Sequence, residues 1–136
     1  MIEGRMDAET YVELMEGPLM ETLEYWGKEP GEIIFQQDND PKHTSKQAKS
    51  WFNDHDFEVM KWPAQSPDLN PIEHLWYHLK RKLAEYKDEP KGMLELWDRV
   101  EEQWNKIEAG VCQNLIESMP SRIEAVLEAK GGYTKY

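Results

Sequence analysis

Three acidic side chains stand where chemistry is possible. Asp38 and Asp40 lie in FQQDNDPKHTSK (residues 35–46), directly after a short apolar run, and Glu73 lies in WPAQSPDLNPIEHLW (residues 62–76). In open α/β sheets ligands gather at the carboxyl ends of strands. Asp38 would stand at such an end, and Glu73 in the first turn of a helix facing the same edge. Two carboxylates there would offer the hard oxygen donors that Mg²⁺ or Mn²⁺ prefers. Each acid also has an ordinary role. Asp-Asn-Asp-Pro is a turn and helix-start sequence, with Asp40 before Pro41 as a natural N-cap. Asn70-Pro71-Ile72-Glu73 reads as a capping box, in which Glu73 bonds back to its own helix start. Taken singly, turn and cap are the commoner uses. His74 and His78, four apart, share one helix face and could chelate zinc. No cysteine or third histidine accompanies them at a suitable spacing, and Arg81 and Lys82 continue the same polar face, so solvated histidines are expected. His43 and His55 are isolated.

The elements that must position these residues are legible from periodicity. Residues 8–26 read as an amphipathic helix capped by Asp7, with Tyr11, Leu14, Met15, Leu19, Leu23 and Trp26 inward. Gly17-Pro18 should kink or split it. GKEPG (residues 27–31) is a stop. EIIFQQ (32–37) reads as a buried strand, residues 44–54 as a helix with Ala48, Trp51 and Phe52 inward, and FEVMKW (57–62) as a second strand. Strand, ten-residue helix, strand makes a parallel βαβ unit with a right-handed crossover. Helices follow over residues 71–86, 93–107, 111–118 and 120–130, with Gly131-Gly132 as the final stop. The inward stripe of the first of these is Ile72, Leu75, Trp76, Leu79, Leu83 and Tyr86. Trp62, Trp76, Trp97 and Trp104 fit inward positions and are expected in the core. Two parallel strands need cover on faces and edges. The fold class is therefore α/β with a parallel βαβ core and several C-terminal helices, either helical with a two-stranded insert or part of a larger sheet.

Composition bounds the function. The 136 residues suffice for one ordinary domain. Residues 1–5, MIEGR, read as an expression-tag remnant and are set apart from fold reasoning, leaving 6–136. No apolar run is long enough to span a bilayer. The single cysteine, Cys112, falls in a helical apolar pattern and reads as a small core residue in a reducing setting. The net charge of −11 is opposite to that of a free-standing nucleic-acid binder. Residues 31–89 are less acidic than residues 1–30, most of their cations grouped as Lys42/Lys46/Lys49 and Lys80/Arg81/Lys82. A solvated helix face accounts for them by charge alone.

Together the two blocks are more specific than any one acid. DNDPKHTS and SPDLNPIE, with 34 residues between Asp38 and Glu73, resemble the catalytic domain of the mariner superfamily of DNA transposases, nematode-type branch. The resemblance covers residues 6–136, and AKGGYTKY is similar to that family's natural end. It implies a ribonuclease-H-like fold and an Asp-Asp-Glu (or Asp-Asp-Asp) triad holding two divalent metals, Mg²⁺ or Mn²⁺. Asp38 matches the second acid and Glu73 the third. The reaction implied is DNA strand cleavage and strand transfer, on transposon ends and target DNA, in the nucleus. Lys42, His43, Lys46 and Lys49 would contact DNA phosphates near Asp38. The departure is at the first acid. Only Asp7 precedes Asp38 as an aspartate, and it sits at a helix start. The chain is thus expected to be the C-terminal part of the catalytic domain, without the first strands, inactive alone, weak on DNA and prone to homo-oligomerise. The alternative is a transposase-derived, non-catalytic protein-interaction module in which both acids serve only as turn and cap.

Overall fold

A computed structural model describes residues 4–136, so most of the expected tag remnant lies outside the described residues. The chain divides into two compact units, one ending at Gln65 and the other spanning Ser66–Tyr136.

The first unit opens with α1 (Ala8–Leu14), started by Asp7, whose carboxylate accepts the Thr10 N–H at 2.9 Å. The expected disturbance at Gly17-Pro18 is a five-residue π turn, Met15–Leu19, leading straight into α2 (Met20–Trp26). Pro18 has no N–H to give, and the wider turn absorbs its ring while the backbone stays right-handed. Gly27 ends α2 in the left-handed region (φ 62°), and Lys28 N–H returns to the Leu23 carbonyl at 2.9 Å.

Next come β1 (Ile34–Phe35), α3 (Lys46–Asp54) and β2 (Glu58–Val59), with the strands parallel and Ile34 opposite Glu58. The βαβ reading holds, but the strands are shorter than expected. Ile34 is also 57% exposed rather than buried. Ile33 and Phe35 face the core, and nothing among the described residues covers the other side of this two-stranded ribbon enough to bury Ile34. The core joins Tyr11 and Leu23 to Ala48, Trp51, Phe52 and Phe57. Phe52 packs against Phe35 at 4.9 Å and edge-on to Phe57 at 5.5 Å between ring centroids. Trp26, expected inward, is exposed one residue before the helix stop. The start of α3 also differs from expectation. Its cap is Ser45, whose hydroxyl accepts the Ala48 N–H at 3.1 Å, and Asp40 lies a turn upstream.

The second unit is helical, with α4 (Ile72–Ala84), α5 (Met93–Asn105), α6 (Ala109–Glu117) and α7 (Met119–Glu128). Leu75 and Leu79 of α4 are buried as the stripe predicted, and α4 packs on α5. The tryptophans do not form a core. Trp76, Trp97 and Trp104 are each 41% exposed, with Trp76 and Trp104 meeting at 5.5 Å. A helix resting against one neighbour covers one side of a large indole and leaves the other in water. The most buried side chain of this unit is instead Arg122, 1% exposed. Gly131 (φ 80°) stops α7 as expected, its N–H bonded to the Val126 carbonyl at 2.9 Å. Among the described residues no helix is long and apolar enough to cross a membrane.

Candidate active site

Beyond the carboxyl end of β1 the chain makes two successive side-chain turns. Asp38 Oδ1 accepts the Asp40 N–H at 2.9 Å, and Asp40 Oδ1 accepts the Lys42 N–H at 2.9 Å. The same Asp40 oxygen lies 2.7 Å from Lys42 Nζ. Hydrogen bonds from the Lys42 side chain and backbone hold the Asp40 carboxyl below the usual carboxylate range. Asp40 is thus committed to the turn through Oδ1. Asp38 is half-exposed, and its Oδ1 also takes a hydrogen bond from His43 Nδ1 at 2.7 Å; opposite a carboxylate, that nitrogen carries the proton.

His43 is set by a polar and aromatic frame. Its ring lies against Tyr11, centroids 4.4 Å apart. The Tyr11 hydroxyl donates to Gln37 Oε1, and Gln37 Nε2 donates to the His43 carbonyl at 3.4 Å. Burial, then the negative charge of Asp38, pushes the Tyr11 hydroxyl up to about 12. Beside this frame opens a cleft of about 440 Å³, walled by Asp38, Asn39, His43, Lys49, Lys61 and Trp62 over a floor that includes Phe52 and Phe57. Asn39 closes one end by donating to the Trp62 carbonyl at 2.8 Å.

Glu73 belongs to the second unit, and its environment departs from the capping box. Asn70 caps α4 with its own side chain, Oδ1 accepting the Ile72 N–H at 3.3 Å, while the Asn70 N–H is taken by the Pro67 carbonyl at 3.0 Å. The back-bond from Glu73 therefore has no donor to meet. Its carboxylate is exposed and makes no hydrogen bond or ion pair among the described residues. The next residue is the opposite case. His74, expected to be solvated, is half-buried and accepts from Arg122 Nη2 at 3.2 Å. Burial, then the Arg122 charge, holds its imidazole below the ordinary histidine value.

Of the residues singled out from the sequence, Asp38, His43 and Lys49 share the cleft of the first unit. Lys42 is tied to Asp40, and Lys46 is exposed at the start of α3. Among the described residues no three His, Cys, Asp or Glu side chains group closely enough to hold a metal ion. Asp38 and Glu73 fit divalent-metal ligation by donor type, hard oxygens with one carboxylate wholly unpartnered, but supply fewer groups than a closed site requires. Sequence reasoning missed Gln37 and Arg122. A glutamine pair ending an apolar run was a signal for the first. A lone arginine on a short amphipathic helix gave none for the second, since such residues are ordinarily solvent-facing.

A parallel βαβ unit, an acid at the carboxyl end of its first strand and a following set of helices make an α/β fold, and the match to a solved catalytic domain gives it as ribonuclease-H-like. The catalytic domain of Mos1 transposase, solved with Raltegravir and Mg, has that fold and superposes with a TM-score of 0.83 over 98% of this chain and 67% of its own, at 23% identity. A Mos1 paired-end complex with the left transposon end superposes at 0.84 over 97% of this chain and 38% of its own, at 20% identity. The family model described as DDE superfamily endonuclease matches residues 1–91, and the chain belongs to that family. The Tcb2 transposase of Caenorhabditis briggsae is 39% identical over 99% of this chain. The chain spans about half that relative's length, 48%.

Proposed function

We propose that this chain is part of a cut-and-paste DNA transposase, with Asp38 and Glu73 each giving a carboxylate to divalent metal, Mg²⁺ or Mn²⁺. The observation that carries the reading is Glu73. The Asn70 N–H that it would cap is taken by the Pro67 carbonyl, so an exposed and unpartnered carboxylate remains in the first turn of α4, in the sequence block that the family resemblance singles out. Family membership, the transposase relative and the Mos1 structures, one solved with Mg and one with a transposon end, support metal and DNA as partners. Bound metal would activate water or a 3′-hydroxyl and stabilise the leaving oxygen of an in-line phosphoryl transfer.

The chain's own residues do the positioning. His43 fixes one oxygen of Asp38, Tyr11 and Gln37 fix His43, and the cleft beside them presents Lys49 and Lys61 to a phosphodiester and Trp62 to a base. Lys46, exposed at the start of α3, adds a further phosphate contact; Lys42 contributes less while paired with Asp40. With two acids and no three-ligand group among the described residues, the chain alone is expected not to cleave DNA. We expect it to act in the nucleus. We also expect it to self-associate through exposed apolar residues such as Trp26 and Ile34.

A chimera tests the reading, with residues 6–136 replacing the matching part of the Tcb2 transposase. Excision should fall by about a thousandfold or more in Asp38→Asn and in Glu73→Gln, and by less than about tenfold in Asp40→Asn. An active chimera indifferent to both Asp38→Asn and Glu73→Gln would instead favour the interaction-module reading. The turn bonds that Asp38 already makes lend that alternative its support.

A further inference from the structure

We propose that Arg122 and Thr134, far along the chain from Glu73, form a strap that positions it. The inference rests on Glu73 being a metal ligand. Because that carboxylate has no partner among the described residues, its place depends on the backbone from which it projects. The segment is held on both sides of Glu73, at the Asp68 carbonyl before it and at the His74 side chain after it. Arg122 Nη1 donates to the Asp68 carbonyl at 2.7 Å, and Nη2 donates to His74 Nδ1 at 3.2 Å. One rigid guanidinium thus spans the segment from the Pro67–Leu69 turn to the first turn of α4. Nε is anchored on its own helix run by the Ser118 hydroxyl at 2.8 Å. The C-terminal residues close over it. Thr134 Oγ1 donates to Asp68 Oδ2 at 2.9 Å, and the Tyr136 ring lies 4.8 Å from the guanidinium.

The electrostatics single this arginine out. It is almost wholly buried, yet no carboxylate pairs with it among the described residues. A carbonyl, a hydroxyl and an imidazole accept its hydrogen bonds instead. Burying a charge without a countercharge is unfavourable unless its hydrogen bonds are met in a fixed geometry. The acceptors that meet it at the loop and at α4 lie five residues before and one residue after Glu73. Arg122 and Thr134 act through Asp68 and His74, so they are positioning residues and not catalytic ones.

The test uses the whole chain, with amide hydrogen exchange and Mn²⁺-induced NMR line broadening as readouts. In Thr134→Val and Arg122→Met, amides of residues 68–75 should exchange about tenfold faster or more, while those of α3 and α5 keep their rates. Mn²⁺ broadening centred on residues 72–75 should weaken in both variants. Exchange that rises equally through all four helices of the second unit, or does not rise at all, would overturn the proposal in favour of plain stabilisation. Thr134→Val, a near-isosteric change at a part-buried residue, keeps the test decisive if Arg122→Met unfolds the unit. Glu73→Gln separates the two layers. Broadening that survives it overturns the metal reading and with it the strap's purpose. Broadening that it abolishes, beside unchanged loop exchange in Thr134→Val, overturns the strap alone.

Discussion

Asp40 gives its carboxylate to the Lys42 backbone and ammonium, Asp38 shares one oxygen with His43, and Glu73 engages nothing among the described residues. Three acids that look alike in sequence are therefore three different chemical objects. Asp40 is a turn residue, Asp38 a held carboxylate and Glu73 an open one. The frame behind Asp38 makes a pH prediction. Tyr11 ionises at about 12 when folded, against 10.0 for an ordinary tyrosine. Its folded value is raised, so the stability it contributes is complete below pH 10 and is lost as pH rises from 10 toward 12. Urea midpoints should fall across that window in the parent chain and fall less in Tyr11→Phe. Equal slopes would mean that the hydroxyl is not buried against Gln37. The block DNDPKHTS made Asp38 and His43 visible in the sequence. Their coupling was not, because it needs Tyr11 from α1, 32 positions before His43, to stack on the ring.

At the level of elements, apolar spacing placed the α-helices, and burial of Ala48, Trp51 and Phe52 stabilises α3 as that of Leu75 and Leu79 stabilises α4. Caps were less legible. Asp40 before Pro41 was a sound N-cap by residue type, but the chain needed a further turn to leave β1, and Ser45 caps α3 instead. Ser45→Ala should lower the stability of the first unit by about 1 kcal/mol in urea denaturation, with Thr44→Ala costing less than half of that. Equal effects would shift the helix start back to residue 44. At α4 the Pro67–Leu69 turn takes the Asn70 N–H, so Glu73 loses the donor that a capping box requires. Periodicity also promised buried tryptophans in α4 and α5. It reports which face is apolar, not how much of that face a neighbour covers, and these indoles remain partly in water.

For the whole molecule, the α/β class and the parallel βαβ unit followed from the order of elements, and the family from two short blocks whose spacing a fold must preserve. The strap from Arg122 and Thr134 to the Glu73 loop was not legible, since it joins positions more than forty residues apart with no pattern to announce them. The chain spans about half of its transposase relative, and its charge of −11 repels phosphates. DNA affinity should therefore be weak and vanish with added salt. Exposed Ile34 and Trp26 should drive self-association, giving a mass in light scattering that rises with concentration; a constant monomer mass would contradict this. The central claim is that Asp38 and Glu73 are the metal-binding carboxylates of this chain. Mn²⁺ titration followed by NMR line broadening tests it most directly. Broadening should centre on the amides around Asp38 and Glu73, disappear locally in Asp38→Asn and Glu73→Gln, and persist in Asp40→Asn. Broadening that is unchanged by both substitutions, and lost instead in His78→Ala, would contradict the account.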